Sequence, residues 1–147
     1  MAGGRGTYFF YGTLMDRDVL NIVSGLNLAP ARLRPARLPG YRRVRVQDVQ
    51  YPAVLRFEGY SVEGCVVHGI TAAAAARIGL FENDGYDLAV ERVLLGNQRS
   101  ARAALFAASP RMRLSDEDWS FEDWRRQHRS RFLGRVKAWA LKLDRKQ

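Results

Sequence analysis

Apolar and polar residues change rhythm several times along the chain, and each change marks an element. Thr7-Tyr8-Phe9-Phe10-Tyr11 is an unbroken run of β-forming side chains that stops at Gly12, which reads as a strand. From Asp16 the spacing turns helical. Val19, Leu20 and Val23 share a face, Asp16 stands where a cap belongs, and Gly25 ends the pattern. A strand, a tight Tyr11-Gly12-Thr13-Leu14 connection and a helix start therefore follow one another. Over residues 31–46, Pro35, Pro39 and Gly40 predict an irregular strand, a turn, and a second strand at 41–46. Tyr51-Pro52 opens a short strand at 53–57, Glu58-Gly59 signals a turn, and 61–70 reads as a further strand. Gly64 within it marks a bulge or a point of close packing. The alanine run after Thr71 predicts a helix to Phe81, capped by Thr71 and stopped by Asn83-Asp84-Gly85. Residues 86–95 and 99–107 alternate as two strands joined at Gly96-Asn97, a hairpin signal. Ser115-x-x-Asp118 is a helix-start signature, with Trp119, Trp124, His128 and Phe132 on the helix and Gly134 closing it. Residues 135–147 fit strand or helix equally.

Strands dominate and the helices enter singly, so a doubly wound parallel sheet is excluded. The expectation is an α+β protein, a small mixed β-barrel with flanking helices. Residues 1–147 read as one domain, with 1–6 a flexible leader and 135–147 a possible tail. A chain of 147 residues needs no disulfide or metal staple to bury a core. Its single cysteine, Cys65, rules out an intramolecular disulfide and a multi-Cys metal site. There is no signal-peptide h-region at the start and no apolar run of the ~18 residues a span needs, so the reading is cytoplasmic, without a membrane partner. The formal charge is +9, and the basic residues are arginines apart from Lys137, Lys142 and Lys146. Six arginines and no acid lie between Arg32 and Arg45. Such a field attracts anions of any size. Without zinc-finger spacing or an RNP-like aromatic octamer, it reads as a solvated surface before it reads as a nucleic-acid face.

The usual nucleophile sets are missing. No G-x-S-x-G elbow is present. Cys65 and His68 stand three apart on a strand, on opposite faces, and Cys65 reads as a packed thiol. His128 reads as a packing or capping residue. Asp116-Glu117-Asp118 falls in the first turn of a predicted helix, where the macrodipole alone accounts for acids without a metal. Two features point to chemistry. The 11–14 connection presents free backbone N–H groups at a helix entry, a place for a carboxylate or an oxyanion. Glu82, in Leu80-Phe81-Glu82-Asn83-Asp84-Gly85-Tyr86, is a carboxylate at the negative end of a helix among apolar neighbours. If desolvated it becomes a general base; if solvated it is an ordinary turn residue.

Tyr11-Gly12-Thr13-Leu14, Tyr51-Pro52-Ala53, Val62-Glu63-Gly64, and Leu80-Phe81-Glu82 with Tyr86 occur in an order and spacing that resemble the gamma-glutamylcyclotransferase family, also called AIG2-like or BtrG-like. The resemblance covers about residues 8–93. Gly79 stands where the family's Leu-Asp pairing would place an acid. Leu88 stands where it often has Arg, for which Arg92 is a possible substitute. The resemblance implies a mixed barrel and a cyclising acyl transfer that needs no cofactor and no metal. The α-amino group of a small γ-glutamyl amine or peptide attacks its own γ-carbonyl, which forms 5-oxoproline and releases the amine. It implies Glu82 as the catalytic acid/base and Tyr11, Gly12, Thr13, Leu14 and Tyr86 around the substrate. The leaving amine and the oligomeric state stay open. The competing reading is a non-catalytic binding module of the same fold that uses its basic surface for nucleic acid or an acidic partner.

Overall fold

The computed structural model describes residues 6–82 and 85–146. Its strands are β1 (Gly6–Phe10), β2 (Arg34–Val46), β3 (Pro52–Ile70), β4 (Tyr86–Leu95), β5 (Ser100–Ala108) and β6 (Leu114–Asp118). Its helices are α1 (Arg17–Ser24), α2 (Ala72–Glu82), α3 (Phe121–Gln127) and α4 (Arg129–Arg145). The strands run β3-β1-β5-β4-β2, and β2 pairs again with β3, so five strands close a barrel. β1 and β5 are parallel through Tyr8 and Ala104, while the other pairs are antiparallel. This is the expected mixed barrel with flanking helices.

Barrel closure explains why β1 is apolar without alternation. Alternate side chains of a strand point to opposite faces. Phe9 and Tyr11 pack with Leu38, Val54, Val66 and Leu105 from other strands. Phe10 faces the helices instead, among Leu20, Val23, Ile78 and Trp124. Gly64 is where β3 and β1 meet most closely: a Cβ there would stand 2.4 Å from the Phe10 carbonyl oxygen and 2.6 Å from the Phe9 ring. Of the two roles expected for Gly64, close packing is the one observed.

Four local readings are corrected. Residues 34–46 form one strand rather than two, because Gly40 at φ +78° bends β2 without ending it. Likewise 52–70 is one strand, with Gly59 at φ +86° inside it. Between the Pro39↔Ser61 and Tyr41↔Arg56 pairs, β2 advances two residues and β3 five, so the turn signal at Glu58-Gly59 became a bulge. The helix expected from Ser115 is strand β6, antiparallel to β2. Its acids answer β2 arginines, Asp118 to Arg42 at 3.0 Å and Glu117 to Arg45 at 2.9 Å. The helix start moves to Ser120, whose hydroxyl accepts the Asp123 N–H. Finally, Gly134 lies inside α4 and closes nothing, and the ambiguous tail is helical through Arg145. Strand β1 begins at Gly6, inside the stretch read as a leader, while Gly3 and Gly4 lie outside the described residues, as does the Asn83-Asp84 part of the helix stop.

Other local readings hold. Asp16 caps α1 by accepting from the Asp18 and Val19 N–H groups, and Gly25 ends it in the left-handed region. Asp16 also pairs with Arg129, which reaches Asp18 as well and fastens the start of α4 to α1. Thr71 caps α2 through the Ala74 N–H. His68 is bonded to the Thr7 hydroxyl at 3.0 Å, and His128 sits at the joint between α3 and α4. Burial pushes the Cys65 thiol up to about 12, which leaves it a packed side chain. No described helix is long and apolar enough to cross a membrane.

Candidate active site

β1 ends at the barrel rim and hands the chain to a tight 3-10 turn, Thr13–Met15. The turn closes on itself through Met15 N–H to the Gly12 carbonyl and Asp16 N–H to the Thr13 carbonyl. The earlier amides, at Gly12, Thr13 and Leu14, have no acceptor within the turn. Gly12 is required by contact: a Cβ there would lie 2.9 Å from the Pro52 ring. Pro52 has a second task, since its carbonyl accepts the Tyr86 hydroxyl at 2.8 Å. One proline thus sets the spacing of the turn and anchors a tyrosine from β4.

α2 packs on α1 through Ala74 and Ile78 against Val19, Leu20 and Val23. That packing brings the last turn of α2 over the 3-10 turn. The result is a cavity of about 400 Å³. Tyr11, Gly12, Thr13 and Leu14 line one side, Leu80, Phe81 and Glu82 another, and Tyr51, Pro52, Tyr86 and Phe106 complete the barrel wall. Every residue expected at the site, Tyr11, Gly12, Thr13, Leu14, Glu82 and Tyr86, faces this one cavity.

Glu82 is the one carboxylate among the described lining residues. Burial lifts its carboxyl from the ordinary 4.5 to about 7. Glu82 is half-buried, which favours the desolvated carboxylate over the solvated turn residue of the two alternatives left by the sequence. Tyr11 donates its hydroxyl proton to the Phe106 carbonyl, and Tyr86 donates to Pro52. Both phenols are held well above their usual pKa, by burial first and then by neighbours that include Glu82. With their protons committed to backbone carbonyls, they shape the cavity wall, and Glu82 is the lining group that burial pushes toward neutrality.

Two cations escaped the sequence reading. Arg43, from β2, donates to the Tyr11 carbonyl at 2.8 Å and the Glu63 carbonyl at 3.0 Å, with its guanidinium 5.4 Å from the Trp119 ring centre. It fastens the start of the turn to β3. Arg135, on α4, lies at the cavity edge with Phe132, Val136 and Trp139. The 3.6-residue repeat of a helix puts these four on one face, a signal hidden by the expectation that a helix ends at Gly134. Arg92, the possible substitute for a family arginine, is exposed on β4 opposite Arg102, away from the cavity.

The family profile described as "Gamma-glutamyl cyclotransferase, AIG2-like" matches residues 8–126. AIG2-like protein A of Arabidopsis thaliana is 30% identical over 131 residues, covering 85% of this chain and 75% of that protein. AIG2-like protein D of the same plant is 29% identical over 142 residues, covering 92% and 90%. Among solved structures, a solution structure from Arabidopsis thaliana superposes with a TM-score of 0.66 at 25% identity, covering 90% of this chain and 89% of that one. A structure titled gamma-glutamyl cyclotransferase superposes with a TM-score of 0.57 over 76% of this chain and 69% of its own, and at 12% identity it speaks for the fold alone. With its barrel, its Gly12 turn and its profile match agreeing, this chain belongs to the AIG2-like gamma-glutamyl cyclotransferase family.

Proposed function

We propose that the protein is a gamma-glutamyl cyclotransferase that cyclises a γ-glutamyl amine or peptide to 5-oxoproline and frees the amine. The observation that carries this reading is that the Glu82 carboxyl, pushed up to about 7 by burial, lines the same cavity as residues 12–14 of the turn. The substrate's α-ammonium cannot attack until it loses a proton. Ionised Glu82 takes that proton, and the amine nitrogen bonds to the γ-carbonyl carbon. The oxygen of the resulting tetrahedral intermediate gains charge, which the backbone N–H groups of the turn are suited to hold. As the old C–N bond breaks, the proton on Glu82 passes to the departing nitrogen, and the surplus proton of the ring nitrogen follows it through Glu82, so that the amine leaves as an ammonium ion and Glu82 is ionised again. Atoms and charge balance without water, and the nucleophile comes from the substrate itself. Folding the substrate toward its ring adds the advantage of an intramolecular reaction.

The test is to incubate the purified protein with glutathione, γ-glutamyl dipeptides and γ-glutamyl alkylamines and to measure 5-oxoproline. Product from at least one class is expected. Glu82→Gln, nearly isosteric and unable to carry the proton, is expected to lower turnover ~10²-fold or more. Unaltered turnover in that variant would take Glu82 out of the mechanism.

A further inference from the structure

The profile match ends at residue 126, yet the cavity does not. Its outer wall is built by α4, through Phe132, Arg135, Val136 and Trp139. That wall is tightly fixed. Phe81 meets Phe132 and Trp139 edge-on, at 6.2 and 5.3 Å between ring centres. Arg77 lies over Trp139 at 6.0 Å while bonded to the Ile22 and Val23 carbonyls and to Asp144. Arg135 is exposed at the rim, with its guanidinium 5.6 Å from the Phe132 ring centre. The arrangement is an apolar, aromatic surface with a planar cation at its edge, a combination that receives an apolar group bearing a carboxylate.

Which part of a substrate reaches this wall follows from the reading above, on which this step rests. If the glutamyl head lies against the amides of the 11–14 turn with its amine at Glu82, the rest of the molecule must leave toward the side those elements do not occupy. α4 provides that side. We propose that the α4 face is a leaving-group subsite, in which Arg135 selects γ-glutamyl compounds whose departing amine carries both an apolar side chain and a free carboxylate. Arg135 is a specificity residue here and takes no part in proton transfer.

The experiment compares γ-glutamyl-phenylalanine with its C-terminal amide, which differs only in lacking that charge. In the wild-type chain, kcat/KM for the acid should exceed that for the amide by roughly tenfold, the worth of one charge-assisted contact at a partly exposed rim. Arg135→Gln should bring the ratio toward one, and Arg135→Lys should keep part of it. A second arm measures binding of the same two compounds to Glu82→Gln, with and without Arg135→Gln, by calorimetry. Equal wild-type values for acid and amide, or equal losses on both in Arg135→Gln, overturn the subsite; the second pattern would mean that Arg135 holds a group both compounds share. No turnover, combined with an Arg135-dependent binding preference for the acid, upholds the subsite and refutes the cyclotransferase reading. Turnover without preference does the reverse, and neither turnover nor binding overturns both.

Discussion

Glu82 joins local sequence to chemistry through one cost, that of holding a charge against a half-buried apolar wall. Its carboxyl titrates at about 7 because burial disfavours the ionised form. For the proposed reaction, kcat/KM should therefore climb with pH through an apparent pKa near 7, since only ionised Glu82 accepts the substrate's proton. A profile flat between pH 6 and 8 would contradict this. The same shift acts on stability with a definite sign. The folded-state pKa lies above the unfolded value of 4.5, so the native protein binds the extra proton between those limits. The contribution is complete below about pH 4.5 and is lost as pH rises through about 7. Glu82→Gln should then gain stability relative to wild type between pH 4.5 and 8, by an amount on the order of 3 kcal/mol at most, seen as diverging urea midpoints. Gly64 makes a contrasting case, set by steric contact. Gly64→Ala forces a Cβ onto the Phe10 carbonyl oxygen, which belongs to a paired strand and cannot swing aside. A loss of roughly 1–3 kcal/mol or more is expected in the same denaturation experiment.

Elements were legible where local preference and packing agree. The apolar run of β1, the Asp16 and Gly25 ends of α1 and the Thr71 cap of α2 are all where the pattern places them. They were misread where a partner overrode local preference. Acids at 116–118 favour a helix start in isolation, but opposite Arg42 and Arg45 they form the edge strand β6. Glycine signals were overread for the same reason: Gly40 and Gly59 look like turn residues, yet long pairing between β2 and β3 carries the strands through them. Gly134 offers a direct check on α4. It sits in mid-helix with nothing within 4 Å of an added Cβ. Gly134→Ala should raise stability by about 0.5–1 kcal/mol, the helix preference of alanine over glycine. A cap in the left-handed conformation would give the opposite sign in thermal unfolding.

Across the whole molecule, part of the basic surface behind the +9 charge is neutralised locally. Arginines from several elements are answered by acids, among them Arg56 by Glu91, Arg77 by Asp144 and Arg126 by Asp123. Arg42 sits 5.6 Å from the centres of both exposed rings Phe57 and Tyr60, a grouping that could stack a base, but its guanidinium is already engaged by Asp116 and Asp118. Binding to single-stranded RNA at low salt should therefore be weaker than micromolar by fluorescence anisotropy. Micromolar or tighter binding that falls steeply with salt would favour the binding-module reading instead.

By itself the sequence determined what depends on neighbours a few positions apart: the strand-turn-helix entry at residues 11–14, the alanine-rich helix, and a carboxylate set against its helix dipole. Its order of short motifs was enough to suggest the family. Tertiary structure decided what depends on contacts between distant residues. Barrel closure and the packing of α2 on α1 carry Glu82 to a turn 71 positions earlier and half-bury it there. The same long-range pairing brings Arg43 beneath that turn and lays the α4 face across the cavity mouth. Local preferences are fractions of a kcal/mol per residue, while burial and ion pairing across the fold act through partners that a short window of sequence does not contain.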